Sequence, residues 1–244
     1  MRLLVTRPEP DAMKLAGRLE QDGHDAIVEP LMRLSFEGTD PIDLEGASAL
    51  IATSRNALRA LRASPALAEA RHIPIFVVGK ATAAEARHMG FDRILVGPGR
   101  AADLVPAIAA TQDSTDGLLV HLAGEALAFD IKSELELLGF RILQPTVYRM
   151  EAAEAFTMST LDAFADGDVE GVILMSLQTA RIYARLVAQH RLAYAMPKIV
   201  HFCMSAAIAS GLGPLGQVRI TIPDRPTLDS LLAEIELTAA QWDE

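Results

Sequence analysis

One cysteine, Cys203, one tryptophan and three tyrosines stand among 244 residues, and the shortage of each excludes something. A lone cysteine makes neither an intramolecular disulfide nor a thiolate cluster for a metal, so a reducing cytoplasm is the expected compartment. The histidines at 24, 72, 88, 121, 190 and 201 contain no i, i+4 pair, and no metal site is expected. Neither a P-loop nor a G-x-S-x-G elbow occurs, so phosphoryl transfer and serine hydrolysis lack their usual marks. No apolar run approaches the ~18 residues of a spanning helix. Only Leu3, Leu4 and Val5 lie between Arg2 and Thr6, too few for the apolar region of a signal peptide. Basic charge is short as well: 22 Lys and Arg face 32 Asp and Glu, a net charge of −10. That balance argues against nucleic acid as a partner. It also sets a difficulty for any polyanionic small ligand, which side-chain charge summed over the chain repels.

Half of the residues are apolar, enough for one large core or two of ordinary size. Short apolar runs predict strands at 3–6, 26–29, 49–53, 75–78, 93–96, 117–122, 141–143, 171–175, 198–202 and 218–222, several apolar at consecutive positions, as parallel strands covered on both faces are. Between them, Ala12, Leu15, Ala16 and Leu19 recur at helical spacing, as do Leu127, Ile131, Leu135 and Leu138, and Leu228, Leu231, Leu232 and Ile235. This βαβ alternation predicts an α/β fold of one or two doubly wound parallel sheets. Gly23, Gly90 and Gly139 each fall where a helix needs a left-handed residue before the next strand. The rhythm breaks at 34–43 and again at 144–156, stretches with a proline and scattered polar residues. Two such crossings predict a split first domain (1–35 with 157–244), an inserted domain (44–143), and linkers at 36–43 and 144–156.

The chemistry is expected where the strands end. Thr6-Arg7, Thr53-Ser54-Arg55, Gly79-Lys80-Ala81-Thr82, Ala123-Gly124-Glu125, Ser176, Ser205 and Thr227 all follow strands and open helices. Any one of them is accounted for as a helix cap. Together, on sheet edges facing a common cleft, they would offer free N–H groups and helix dipoles to an anion, and so reconcile an acidic chain with an acidic ligand. The run Gly97-Pro98-Gly99-Arg100-Ala101-Ala102 fits the G-x-G-x-x-A dinucleotide fingerprint. Its proline, and its place outside the first βα unit, favour a plain strand-to-helix turn.

In order and spacing, "LLVTRPEP", "DGHDAIVEPL", "LIATSRNAL", "FVVGKATAAEARHMGF", "LLVHLAGE", "TVY", "VILMSLQTA" and "PTLDSLLAEI" resemble the uroporphyrinogen-III synthase family over nearly the whole chain. The resemblance implies an enzyme, a cyclising hydro-lyase of tetrapyrrole biosynthesis without metal or organic cofactor. It closes linear hydroxymethylbilane, a polycarboxylate, with loss of water and inversion of ring D. It further implies two flavodoxin-like α/β domains, the first discontinuous, joined by an extended two-stranded linker, and a monomer with its site in the cleft. Tyr148 is the tyrosine of the "VY" motif, to which the resemblance gives the role of proton donor near the departing hydroxyl; a phenol titrating near 10 keeps its proton at neutral pH. Arg7, Thr53, Ser54, Lys80, Ala81, Thr82, Gly124, Ser176 and Ser205 fall on substrate-binding positions. The chain departs from many relatives at Ala123, where they have arginine, and at Cys203-Met204-Ser205, where they have Gly-Pro-Thr. The rival readings are a non-catalytic two-domain protein that closes on a small anion, and a nucleotide-dependent enzyme using the Gly97 run.

Overall fold

The computed structural model describes residues 1–242. In chain order the strands are β1 (Arg2–Val5), β2 (Asp25–Val28), β3 (Met32–Ser35), β4 (Ala47–Ala52), β5 (Ile75–Val77), β6 (Ile94–Val96) and β7 (Leu118–His121). They continue with β8 (Ala123–Gly124), β9 (Arg141–Leu143), β10 (Thr146–Ala152), β11 (Gly171–Leu174), β12 (Val200–Cys203) and β13 (Arg219–Thr221). The chain divides into two compact units, Met1–Arg33 with Glu151–Glu244, and Leu34–Met150.

The first unit holds a parallel sheet in the order β13-β12-β11-β1-β2. Leu3, Val5, Ile173, Val200 and Phe202 form one core with Leu15 and Leu19 of the helix Asp11–Gln21 and with Leu231, Leu232 and Ile235 of the helix Leu228–Trp242. The apolar stripe at 12, 15, 16 and 19 is the buried face of its helix. Thr157 caps the helix Met158–Asp166, accepting from the Thr160 N–H, and Thr157 in turn donates its own N–H and hydroxyl to the buried Glu29 carboxylate.

The second unit holds another parallel sheet, β6-β5-β4-β7-β9. Along β4, Leu50 and Ala52 enter one core while Ala49 and Ile51 enter the other. The same alternation puts Ile75 and Val77 on one face of β5 and Phe76 on the opposite face. Because side chains alternate across a strand, an apolar run on consecutive positions means a sheet buried on both faces. Counted within its own unit, the first sheet reads 2-1-3-4-5 and the second 3-2-1-4-5, so the units are not two copies of one strand order.

All ten expected strands are present in these two sheets, with small shifts at their ends. The last but one begins at Val200, because Met196–Lys198 forms a 3-10 turn. Gly23, Gly90 and Gly139 have φ of 86°, 85° and 86°, the left-handed values their positions after helices require. The stripe Leu127 to Leu138 needs correction: the helix is only Ile131–Leu137, and Leu127 and Leu138 are 42% and 51% exposed. The Asp130 carboxylate accepts the Ser133 N–H at 3.1 Å and so starts the helix at Ile131, four residues after Leu127. Three strands lie outside the ten read from apolar runs, β3, β8 and β10, which form a separate sheet in the order β3-β10-β8; β10 falls within the stretch 144–156 expected as a linker. Among the described residues no helix is long and apolar enough to cross a membrane.

The interior of the first unit carries a titratable network. His201 is fully buried; its Nδ1 donates to the Arg219 carbonyl at 3.1 Å, which leaves Nε2 to accept from the Tyr183 hydroxyl at 3.2 Å. Burial holds the ring neutral, with its pKa lowered from 6.5 to about 4. An unfolded chain binds the proton between those values and the folded chain does not. This contribution to stability is therefore complete above pH 6.5 and declines as the pH falls toward 4. Denaturant titrations at pH 7.5 and 5 should show a loss on the order of 2 kcal/mol from this group. In His201→Phe the loss should shrink; an equally steep loss would assign the pH sensitivity to other groups, among them the buried His121, which burial shifts in the same direction.

Candidate functional site

In an open parallel sheet a ligand sits beyond the carboxyl ends of the strands where the strand order reverses. In the second unit that point lies between β4 and β7. After β4 come Thr53 and Ser54, and the Ser54 hydroxyl accepts the Asn56 N–H at 3.1 Å, capping the helix Arg55–Ala63. After β7 the chain enters β8, whose Ala123 N–H donates to the Pro145 carbonyl, while the Glu125 N–H donates to the Tyr148 carbonyl, both at 3.0 Å. This short parallel pairing puts Gly124 opposite Tyr148.

The pair is in intimate contact. A Cβ added to Gly124 would lie 2.5 Å from Cζ and 2.7 Å from the hydroxyl oxygen of Tyr148. Gly124 has no left-handed φ, so it is the space taken by the ring that requires glycine here. The tyrosine is half-buried and packs on the core that contains Leu50, Leu122 and Val147. Its hydroxyl has no hydrogen-bond partner among the described residues. Packing and a free polar tip are thus both present in one side chain.

Tyr148 lines a cavity of about 460 Å³ together with Thr53, Ser54 and Gly124. Its size is within the range of small-molecule pockets. Val78, Leu127 and Phe129 supply an apolar wall, and Gly99, Arg100, Ala101 and Ala102 line the cavity as well. Arg100 is exposed and has no ion-pair partner among the described residues. By contrast, Arg149, next to Tyr148, lies 3.4 Å from the Glu125 carboxylate. Behind Thr53 stands His121, 1% exposed, with Nε2 at 3.4 Å from the Thr53 hydroxyl and Nδ1 at 2.9 Å from Oε1 of Gln144. Burial pushes the His121 pKa down, the Gln144 bond and the Asp130 charge opposing it.

Four of the expected residues, Thr53, Ser54, Gly124 and Tyr148, are therefore brought to one cavity. Lys80, Ala81 and Thr82 open the helix Lys80–His88 in the same unit without lining it; Lys80 and Ala81 are exposed and Thr82 is buried. Arg7, Ser176 and Ser205 belong to the first unit. Arg7 pairs with Asp11 at 3.2 Å, and Ser176 and Ser205 cap helices by accepting the N–H groups of Thr179 and Ile208. Arg100, His121 and Gln144 were missed. For Arg100 the signal was in hand, since the Gly97 run drew notice, but for a dinucleotide. Cys203 is no nucleophile, its thiol pushed up to about 12 by burial.

A family model described as uroporphyrinogen-III synthase HemD matches residues 13–233. The chain belongs to the uroporphyrinogen-III synthase family. Among solved structures it is similar to uroporphyrinogen-III synthetase from Helicobacter pylori, with 17% identity, TM-score 0.62 and 98% of each chain covered. It is also similar to a mutant uroporphyrinogen III synthase from Thermus thermophilus, with 15% identity, TM-score 0.51 and 99% of each chain covered. At these identities the likeness speaks for the mixed α/β fold with parallel sheets. No curated protein matches the chain by sequence. The activity is that of the family, a cyclising lyase of tetrapyrrole biosynthesis, and the reading as a non-catalytic binding protein is not favoured.

The contact of Gly124 with Tyr148 makes a stability prediction. Gly124→Ala must displace the phenol or the strand, a strain of roughly 1–3 kcal/mol. In a Tyr148→Ala background the same change should cost close to nothing, and a thermal double-mutant cycle measures the difference. Additive effects in that cycle would mean that ring and glycine do not share the space described.

Proposed function

We propose that this member of the uroporphyrinogen-III synthase family carries out its reaction at the cavity of the second unit, with Tyr148 donating a hydrogen bond to the departing hydroxyl of hydroxymethylbilane. The observation that carries the reading is a tyrosine hydroxyl held at the cavity by Gly124, with no partner among the described residues. As the ring A nitrogen expels the hydroxyl, the C–O bond breaks and water leaves with the Tyr148 proton. Ring D then attacks the azafulvene through its substituted carbon, and the spiro intermediate fragments and recloses with ring D reversed. Loss of a proton from ring D restores aromaticity and returns a proton to the phenol. Holding the two ends of the substrate in this geometry, rather than for head-to-tail closure, is the larger part of the catalysis.

Carboxylate recognition follows from charge. In a chain of net charge −10, Arg100 puts at the cavity a guanidinium without an ion-pair partner among the described residues, suited to a substrate carboxylate. Arg7, Lys80, Ala81, Thr82, Ser176 and Ser205 remain proposed substrate contacts by their place after strands of their own sheets, where helix starts present N–H groups. The order 2-1-3-4-5 supports a flavodoxin-like description of the first unit; the second is proposed as a doubly wound sheet of order 3-2-1-4-5. The strands β3 and β10, within which the chain passes from one unit to the other and back, are the proposed two-stranded linker. The enzyme is proposed to act as a cytoplasmic monomer without metal or organic cofactor; the free thiol of Cys203 supports the reducing compartment alone.

Hydroxymethylbilane, generated enzymatically and supplied to the purified protein, should yield uroporphyrinogen III; recovery of the type I isomer alone would overturn the reading. Tyr148→Phe should keep the fold and lower turnover by roughly 10²- to 10⁴-fold. An unchanged rate would leave the ring a packing role only. Arg100→Gln should raise KM by about ten- to a hundredfold with a much smaller change in kcat, the mark of a contact made in both ground and transition states.

A further inference from the structure

We propose that Thr53 accepts a hydrogen bond from a pyrrole N–H of the substrate, and that the buried His121 turns its hydroxyl to that role. The inference rests on the reading of this cavity as the place of reaction. It follows from an accounting of donors and acceptors along Gln144, His121 and Thr53, three residues from the carboxyl ends of β9, β7 and β4.

A neutral imidazole has one N–H and one lone pair. The amide oxygen of Gln144, 2.9 Å from Nδ1, only accepts, so the ring proton is on Nδ1 and Nε2 is a lone pair. Burial keeps the ring from gaining a second proton. The Thr53 hydroxyl, 3.4 Å from Nε2, has a single proton, and giving it to the ring leaves only lone pairs for the cavity. Its neighbour Ser54 is in the opposite condition. Ser54 already accepts the Asn56 N–H as a helix cap and retains its own proton to give. Two adjacent hydroxyls lining one cavity thus carry opposite hydrogen-bonding polarity, which their residue types do not reveal.

A linear tetrapyrrole offers two kinds of polar group, carboxylates that only accept and ring nitrogens that donate. A hydroxyl limited to accepting rejects the first and selects the second. The selection also serves the chemistry. When the hydroxyl of ring A departs, the nitrogen lone pair flows into the ring and positive charge gathers at that N–H, so an acceptor there binds more strongly as the bond breaks. His121 acts through Thr53 and is a positioning residue.

Two measurements on the whole protein test this. The ¹⁵N shifts of the His121 ring in the unliganded wild-type protein at pH 7.5 should show a neutral ring protonated on Nδ1; a proton on Nε2 or a charged ring would overturn the proposal, without depending on any variant. Thr53→Val should lower kcat about ten- to a hundredfold with little change in KM, and Thr53→Ser, which keeps the hydroxyl, should recover most of the loss. His121→Gln, which keeps an acceptor toward Thr53, should retain more activity than His121→Phe. A folded Thr53→Val enzyme with normal kcat, beside losses in Tyr148→Phe and Arg100→Gln, would defeat the role of Thr53 and leave the site standing. Normal activity in all three would defeat the site itself.

Discussion

The cavity of the second unit depends on a pairing of only two residues, which sets Tyr148 against Gly124. Ala123 and Gly124 lie beside Pro145 to Tyr148 through two backbone hydrogen bonds of 3.0 Å, and with them the end of β7 is joined to β10. Without that pairing, Tyr148 is a tyrosine on a polar strand. With it, the ring fills the space a side chain at 124 would occupy, its body packs on the sheet's core, and its hydroxyl is delivered to the cavity. The same arrangement constrains position 124: while the ring is in place, no side chain fits there. A phenol held on three sides has few orientations left, and preorganisation of this kind is what makes a weak acid useful in catalysis.

The rest of the site uses backbone and a few polar side chains, which suits an acidic protein with an acidic substrate. Arg100 supplies the positive charge at the cavity, while Arg149 and Arg7 stand near acidic partners of their own. In the proposed site, specific recognition then falls to groups whose polarity is set by their neighbours. Ser54 is committed by the helix it caps and Thr53 by the imidazole behind it.

The sheets were legible because two-sided burial leaves consecutive apolar residues, as in Leu50, Ile51 and Ala52 of β4, and because glycines such as Gly23, Gly90 and Gly139 mark the helix ends. β3, β8 and β10 were not legible as apolar runs, and β10 showed only as part of the stretch 144–156 where the rhythm breaks. Their residues mix polar and apolar types, and β8 is too short for any period to appear. Leu127 shows how periodicity misleads: it falls on the helical stripe by spacing, but Asp130 begins the helix later and leaves Leu127 on the cavity wall. In the site, Thr53, Ser54 and Gly124 could be placed by their position after strands, and Tyr148 by resemblance. Arg100 and His121 could not be assigned, since a cation's partner and a histidine's tautomer are set by groups distant in sequence.

The strand order of the first unit bears on how the molecule is made. β1 lies in the middle of its sheet, between β2 and β11, and β11 is synthesised only after the whole of the second unit. Until then the fully buried Leu3, Leu4 and Val5 belong to a strand with one edge open, the kind of edge that recruits other chains. The second unit, contiguous in sequence, is under no such delay. During translation it has the opportunity to fold first, and the nascent chain must keep its opening strand shielded for that interval. The exposure to aggregation thus belongs to the first unit, whose sheet is assembled from two separated stretches of chain.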